Sequence, residues 1–353
     1  MMHPRVLAVG VIGLLACSHS PGAHTTAAGS GSPGGTGGTG GHAAATTASG
    51  STGSGATGSG ATGSGTATGS SGTTGSGGAT GSGGTGGIPG MPTVFYDFVS
   101  ADAAAFYQRQ PTGSVTFGAA DPGAHDGHAA TLLFQGNTAA VGPASATEVG
   151  TNAALGFGEY RFRVRLATCH PDEDLVNGHF VYHNDGLDHD GNGIIDNDEI
   201  DIEILCGQPG FLNLTSWTDY TDDAHMRKKS RTIDLDTGTL HVGVTDGYGY
   251  DAADPLDGTV DPSLAHPGWY DPAAYYEMGW DWQPDHLRWF IVLGGKELTL
   301  WSFTDATRIP QHPAPMLFNL WHPHDHWNEA GAAAPAQADA TLSLDWFAFT
   351  AGK

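Results

Sequence analysis

The chain has 353 residues, and its 37 Asp and Glu outnumber its 13 Lys and Arg, giving a formal net charge of −24 at pH 7. Residues 1–90 contain no acidic residue and one basic residue, Arg5, so the remaining residues carry a net charge of −25. A surface this acidic repels phosphate backbones, which argues against a nucleic-acid partner and is compatible with a neutral polymer as ligand.

The first 17 residues have the pattern of an export signal. An apolar run over residues 6–16 follows Arg5, and its 11 residues are too few to span a bilayer but suit the core of a signal peptide. The motif LLAC at residues 14–17 resembles the lipobox of bacterial lipoproteins, which implies a lipid on Cys17. Ordinary secretory cleavage near Ala16 is the alternative. We therefore expect a protein of the cell envelope, on the outer surface or in the periplasm, that contacts the membrane only through its lipid anchor, or else a secreted protein.

Residues 18–92 form a segment of low complexity. From residue 21 to about residue 90 nearly all residues are Gly, Ser, Thr or Ala, with repeats such as TGSGATGSGATGSG at residues 52–65. This composition cannot bury a core, so we predict a flexible linker with a mean reach of roughly 45 Å. Residues 93–353 remain, which is enough for one sizeable β core, and we expect this domain to be a monomer.

Short strands separated by clusters of Gly, Pro and Asp follow from Phe95 onwards, and no helical period of useful length appears. In residues 160–166 (YRFRVRL) apolar and Arg residues alternate strictly, which predicts a half-buried strand. Similar runs occupy residues 287–292, 298–301, 316–321 and 342–349. Many short strands in one domain predict an all-β fold, an antiparallel β-sandwich or jelly roll.

Two cysteines remain once Cys17 is assigned to a lipid, namely Cys169 and Cys206. An even pair in an exported protein predicts a disulfide between them. Sequence does not define the distance between two sulfurs, so a pair of free, buried thiols is the alternative.

Residues 199–204 read EIDIEI, and this period of two places three Ile on one face of a strand and Glu199, Asp201 and Glu203 on the other. Alternate residues of a strand lie about 6.8 Å apart, so at an effective dielectric near 20 each neighbouring pair of carboxylates repels by roughly 2.4 kcal/mol. That repulsion corresponds to nearly two pKa units, by about 1.36 kcal/mol per unit. Such a pattern is tolerated on a solvated face, or is used in a cleft to keep one acid protonated beside an ionised one.

The sequence E-I-D-I-E after an Asp-rich turn resembles the signature of glycoside hydrolase family 16, the laminarinase and lichenase group. Other segments resemble landmarks of that family and come in the same order, so the similarity spans about residues 93–351. These segments are YDF at residues 96–98, GEYRF at 158–162, WDWQPDHLRW at 280–289, FNLW at 318–321 and LDW at 344–346.

The resemblance implies a curved antiparallel β-sandwich jelly roll of the concanavalin-like type, with a glycan cleft on its concave face, and hydrolysis with retention of the anomeric configuration. Matched to the family motif, Glu199 corresponds to the nucleophile, Glu203 to the general acid/base, and Asp201 to the acid that assists the nucleophile. Retaining hydrolysis needs two carboxyl groups about 5–5.5 Å apart, whereas residues i and i+4 of a flat strand lie roughly 13 Å apart at Cα. The side chains of Glu199 and Glu203 must therefore converge.

A calcium loop is predicted immediately before the acidic strand. Residues 188–199 match the twelve-residue loop at oxygen positions 1, 3, 5, 9 and 12, with Gly at position 6, although no helices flank it. Because Glu199 is expected to act as the nucleophile, it is left out of the calcium site. The expected ligands of a structural Ca²⁺ are Asp188, Asp190, Asn192, Asp196 and the Ile194 carbonyl, with Asp198 or water completing the shell. The alternative is a hairpin turn at residues 192–193 with solvated acids.

Aromatic side chains provide the candidate sugar platforms. We expect Trp217, Trp321 and Trp327 in the cleft with Asn319 as a hydroxyl partner, while Trp282, Trp289 and Trp346 are predicted to pack in the core. The predicted activity is that of a retaining endo-β-glycosidase on β-1,3/1,4-glucan-type polysaccharide, and the uninterrupted E-x-D-x-E spacing favours the lichenase-like members. A non-catalytic glycan-binding module and a calcium-dependent surface adhesin are the alternatives.

Overall fold

The computed structural model describes residues 93–219, 227–242, 261–323 and 334–352. The predicted signal peptide, Cys17, the linker at residues 18–92 and Trp327 lie outside these ranges. Within them, no helix is both long enough and apolar enough to cross a membrane.

Sixteen strands in the described residues form two antiparallel sheets of eight strands each. The sheet that contains the alternating arginines, here called the arginine sheet, has the spatial order β14 (Lys296–Phe303), β13 (His286–Leu293), β12 (Tyr276–Gln283), β6 (Gly158–Arg165), β16 (Ala340–Ala351), β4 (His128–Phe134) and β3 (Gly113–Ala120), with β1 (Val94–Tyr96) also paired to β16.

The second sheet contains the acidic strand and is here called the acid sheet. Its spatial order is β11 (Thr239–Val242), β10 (Arg227–Asp234), β9 (Phe211–Asp219), β8 (Asp196–Leu205), β7 (Val176–His183), β15 (Met316–Trp321), β5 (Thr147–Thr151) and β2 (Phe106–Arg109). Three short 3-10 helices complete the described elements, at Ser100–Ala105, Gly142–Ser145 and Ala306–Arg308.

The prediction of an all-β antiparallel sandwich is confirmed. The run at residues 316–321 coincides with β15, and the other predicted runs lie within β6, β13, β14 and β16, apart from residue 166, which follows β6. In β6 the apolar residues of the alternation, Tyr160, Phe162 and Val164, are fully buried. The intervening arginines lie on the opposite face, where Arg161 pairs with Glu159, Glu277 and Glu297.

The core lies between the two sheets and is rich in tryptophan. Trp282 and Trp289 are fully buried as predicted, and Trp289 stacks on Trp301 with ring centroids 5.0 Å apart. Trp346 departs from the prediction because it is only partly buried, and its ring stacks against the exposed Phe95 at 6.2 Å. The residues on either side of Trp346 in β16, Asp345 and Phe347, are buried.

Cys169 and Cys206 are joined in a disulfide, with their Cα atoms 5.2 Å apart. Cys206 immediately follows β8, and Cys169 lies in the segment after β6. The bond therefore fastens the end of the acidic strand to a segment that comes from the opposite sheet.

Candidate active site

Strand β8 has two chemically different faces, and both are buried. Ile200, Ile202 and Ile204 are fully buried in the core between the sheets. Glu199, Asp201 and Glu203 point to the other face of the acid sheet, where their exposed fractions are 7, 2 and 7 %. The three acids therefore do not form a solvated stripe, so their mutual repulsion is not relieved by water.

Antiparallel pairing fixes which side chains flank each acid, because directly paired residues share one face of a sheet. On β7 and β9, Glu199 is paired with Tyr182 and Trp217, Asp201 with Phe180 and Thr215, and Glu203 with Gly178 and Asn213. The acids thus lie in the middle of a row of aromatic and polar side chains that runs across three strands.

Burial raises the pKa of all three carboxyl groups. Burial raises the pKa of Glu203 to about 7, against a hydrogen bond from Trp321 and the charge of Lys228, which both lower it. Burial, followed by the charge of Glu203, holds the pKa of Glu199 well above its usual range, whereas a hydrogen bond with Asp201 lowers it. The pKa of Asp201 is also raised, by burial first and then by Glu199 and Glu203. Burial and mutual repulsion therefore favour the protonated form of all three carboxyl groups.

A polar row continues from Glu203 across β7, β15 and β5. The side chain of Asn319 lies over Gly178, where a Cβ atom would collide with the Asn319 Oδ1. Asn319 Nδ2 donates to Glu148 Oε2 at 3.2 Å, and the Tyr107 hydroxyl donates to Glu148 Oε1 at 3.3 Å. Gly178 therefore gives Asn319 room beside Glu203, and Glu148 orients the Asn319 amide.

Trp217 and Lys228 occupy the opposite side of the acids. The indole ring of Trp217 is 1 % exposed, and Lys228 Nζ lies 4.5 Å above its centroid. Trp217 therefore lies beside Glu199 and Asp201, where a cleft residue is expected. Lys228 covers its ring, however, so the ring is not open as a platform for a sugar. Trp321 is also beside the acids, since its indole hydrogen-bonds Glu203.

Three residues of this surface were not predicted from the sequence: Tyr107, Glu148 and Lys228. Glu148 had a weak signal, because an acid stands between Thr147 and Val149 in a short strand-forming run. Lys228 belongs to a basic run at residues 227–231 in a strongly acidic domain, which is a charge anomaly that could have singled it out.

The predicted calcium loop brings most of its acids together. Asp188 accepts hydrogen bonds from the backbone N–H groups of residues 191–193 at 2.7 to 3.1 Å, which lowers its pKa, and Asp190 accepts from Asn192 N at 2.9 Å. One oxygen from each of Asp188, Asp190 and Asp196 lies within 4.8 Å of the others. The Oδ1 of Asn192 accepts from the Ile194 N–H at 2.8 Å.

Asp198 and Glu199 are directed elsewhere. The Oδ2 of Asp198 accepts from the backbone N–H groups of Gln311 and His312 at 2.9 and 2.8 Å and lies 2.7 Å from His312 Nδ1. The expectation that Asp198 completes the calcium shell therefore conflicts with its contacts. Glu199 interacts with Asp201 and Glu203, the other two acids of the row.

Several solved structures are similar to this chain in fold. A β-glucanase from Bacillus licheniformis matches with 17% identity and a TM-score of 0.47, over 75% of this chain and 100% of that chain. A β-1,3-1,4-glucanase (lichenase) derived from a mouse hindgut metagenome matches with 18% identity and a TM-score of 0.44, over 73% and 98%. The laminarinase catalytic domain from Thermotoga maritima matches with 10% identity and a TM-score of 0.44, over 74% and 99%. No family model and no curated protein sequence matches the chain.

Proposed function

We propose that the chain is a retaining endo-β-glycosidase that hydrolyses β-1,3/1,4-glucan-type polysaccharide. The observation that carries this proposal is the set of three buried acids on one face of β8, which interact electrostatically and include Glu203 with a pKa of about 7. An acid with this pKa exchanges protons readily near neutral pH, as a residue that acts first as acid and then as base must do. The ordered sequence motifs of residues 93–351 support the same assignment.

In the proposed first displacement, Glu203 gives its proton to the glycosidic oxygen while a carboxylate oxygen of Glu199 attacks the anomeric carbon. The bond to the leaving sugar breaks, and a glycosyl ester with Glu199 forms. In the second displacement, the ionised Glu203 takes a proton from water, whose oxygen attacks the anomeric carbon and releases Glu199. Two inversions at the same carbon give net retention.

Asp201 has the role of a proton partner in this scheme. Its carboxyl group interacts with that of Glu199, and its own pKa is raised. A protonated Asp201 that donates a hydrogen bond to Glu199 favours the ionised form of Glu199 before attack, against the effect of burial, and stabilises it again as the ester bond breaks. The indole of Trp217, which lowers the pKa of Asp201, limits how firmly that proton is held.

The side chains that flank the acids are the proposed sugar contacts. Asn319, held by Glu148, offers amide groups beside Glu203, and Trp321 offers an apolar surface next to the same acid. Neutral sugars are bound through such combinations of amide hydrogen bonds and aromatic faces. Trp217 would contribute indirectly, by positioning Asp201 and Lys228.

A structural Ca²⁺ in the loop at residues 188–196 is part of the proposal. Asp188, Asp190 and Asp196 fit a hard cation, because they converge as oxygen donors, and Asn192 and the Ile194 carbonyl are the further candidate ligands. Such an ion would order the turn that leads into β8.

We also propose lipid attachment at Cys17 and tethering through residues 18–92, which would hold a monomeric domain at the cell envelope.

The activity is tested by incubating the chain with lichenan, laminarin, xyloglucan, agarose and carrageenan and measuring new reducing ends. We expect rapid release from mixed-linkage or β-1,3-glucan, with the first product in the β configuration by proton NMR. The Glu203→Gln variant should lose activity by several orders of magnitude while keeping its melting temperature. Glu173→Gln is the matched control, because Glu173 is another buried acid, which accepts from the backbone N–H groups of His170 and Gln337.

Three results would contradict the proposal or its assignments. Glucan binding without any release of reducing ends would indicate a non-catalytic glycan-binding module. Calcium-dependent attachment to cells without glucan affinity would indicate an adhesin. Full activity of the Glu203→Gln variant would reject the assignment of the acid/base.

A further inference from the structure

Three histidines from separate segments converge beside the start of β8. His183 is the last residue of β7, His189 lies in the loop before β8, and His312 lies four residues before β15. Their ring centroids are 5.0 Å apart for His183 and His312, 4.5 Å for His189 and His312, and 6.3 Å for His183 and His189. We refer to these three residues as the histidine cluster.

Carboxylate oxygens approach the same nitrogens. Asp185 Oδ2 lies 2.9 Å from His189 Nε2 and 3.9 Å from His183 Nε2. Asp196 Oδ2 lies 3.9 Å from His312 Nε2. One ligand atom from each of His189, Asp196 and His312 lies within 4.8 Å of the other two, and the same is true of His183, Asp185 and His189.

The ring orientation of His312 is fixed by a contact at its Nδ1. Its Nδ1 is 2.7 Å from the buried Asp198 Oδ2, which is itself held by two backbone N–H groups. Because Nδ1 is directed at Asp198, Nε2 is the nitrogen that faces Asp196 and can act as a metal ligand. Metal-binding histidines are oriented in this way by a carboxylate that accepts from the other ring nitrogen.

His183 supplies a second, independent observation. Its Nε2 is buried from solvent and has no hydrogen-bond partner within the described part of the chain. A buried ring nitrogen without a hydrogen bond is unfavourable, because it has lost its hydrogen bonds to water, and Asp185 at 3.9 Å is too distant to replace them. A metal ion bound among the three rings would remove this cost.

Space and charge at the cluster also suit a cation. A cavity of about 370 Å³ is lined by His189, Asp196 and His312, together with the acids Asp190, Asp198 and Asp219. Several carboxylates around a cavity of this size lower the energy of a divalent ion there, and the remaining volume accommodates water as a further ligand.

We propose that the histidine cluster binds one divalent transition-metal ion of the Zn²⁺ class. The main ligands are a ring nitrogen each of His189 and His312 and a carboxylate oxygen of Asp196, which lie within 4.8 Å of one another. His183 is the fourth candidate ligand, and Asp185 and Asp198 hold the rings. Imidazole nitrogen is a preferred ligand of Zn²⁺ and its neighbours in the transition series, whereas Ca²⁺ selects oxygen ligands alone. The site is thus chemically distinct from the acid group of Asp188, Asp190 and Asp196, although it shares Asp196 with that group.

Binding is tested on the full chain after removal of metals with a chelator. Titration with ZnCl₂ by calorimetry should show one tight site, and Co²⁺ should give the intense visible absorption of a four-coordinate site with nitrogen and oxygen ligands. His189→Ala and His312→Ala should each weaken Zn²⁺ binding at least tenfold. His286→Ala is the matched control and should bind as the parent does, because His286 also lies beside two acids, Asp281 and Asp285, outside the cluster.

A second pair of measurements separates this site from the proposed calcium loop. Asp190→Ala should weaken Ca²⁺ binding and leave Zn²⁺ binding within twofold, whereas His189→Ala should do the opposite. The proposal is overturned if no Zn²⁺ binds below 100 μM, or if the single Zn²⁺ that binds is held equally well by His189→Ala and His312→Ala.

Discussion

Replacing Trp321 with Phe should move the alkaline side of the pH–rate profile upward. The general acid has to be protonated for the first displacement, so kcat/KM falls as the pH rises through the pKa of Glu203, which is about 7. The indole of Trp321 donates a hydrogen bond that stabilises the ionised form of Glu203 and thereby lowers this pKa. Phe keeps an aromatic ring and removes the donor.

The size of the shift in the alkaline limb follows from the free energy of the hydrogen bond between Trp321 and Glu203. A hydrogen bond to a charged group contributes about 1.5 kcal/mol net at the lower end of its range, and one pKa unit corresponds to about 1.36 kcal/mol. The alkaline limb should therefore move by about one unit, from near pH 7 to near pH 8. Lys228 still favours the ionised form, and it opposes any larger shift.

The assay is kcat/KM for a soluble glucan measured between pH 4 and pH 10 for the parent and the variant. Loss of a sugar contact would lower kcat/KM at every pH without moving the limb, so the position of the limb isolates the electrostatic effect. Trp346→Phe is the control, because Trp346 lies on β16 in the arginine sheet. An alkaline limb that stays in place or moves to lower pH would refute the assignment of Glu203 as the acid that Trp321 tunes.

Three further predictions concern stability. Millimolar Ca²⁺ should raise the melting temperature of the parent and of the control Asp172→Ala, in which an exposed acid is replaced, but not that of Asp190→Ala. Equal increases in all three proteins would contradict a calcium site in the loop. Burial lowers the pKa of His179 to about 3, so the folded state binds fewer protons than the unfolded state below pH 6.5, and stability falls as the pH drops from 6.5 to 3 by up to roughly 4–5 kcal/mol. His179→Leu should flatten this decline in urea unfolding curves, and an unchanged slope would contradict the argument. Replacing Cys169 and Cys206 together with Ser should cost about 2–4 kcal/mol in the same measurement, and no loss on replacement would mean that the bond does not stabilise the fold.

Local periodicity was sufficient to predict much of the fold. The alternation in residues 199–204 predicted both faces of β8, and the run at residues 316–321 gave β15 with its observed bounds. Each of these patterns is contained within one strand, so no knowledge of distant partners was needed.

The parts of the site that were missed depend on contacts between distant segments. Asp198 was taken as a calcium ligand because of its place in the loop, but its partner His312 is 114 residues away. Lys228 covers Trp217 only because β9 and β10 pair in one particular register, and Glu148 reaches Asn319 from 171 residues away. Sequence spacing contains no information about these pairings, so it could place the acids but not the side chains that adjust them.

Under the proposed mechanism, the reaction rate depends on how the isoleucines of β8 pack in the core. Its three isoleucines and three acids alternate on one continuous backbone, so a shift of the isoleucines toward a new void displaces the carboxyl groups by a similar amount. Catalysis responds to displacements of about 1 Å, whereas deleting one methylene from a core costs only about 1 kcal/mol of stability. Conservative changes such as Ile202→Val would thus be recorded as a loss of turnover in molecules that still melt near the parental temperature. Under the proposed function, the isoleucines on the core face of β8 are therefore constrained by the chemistry of the acids on its opposite face.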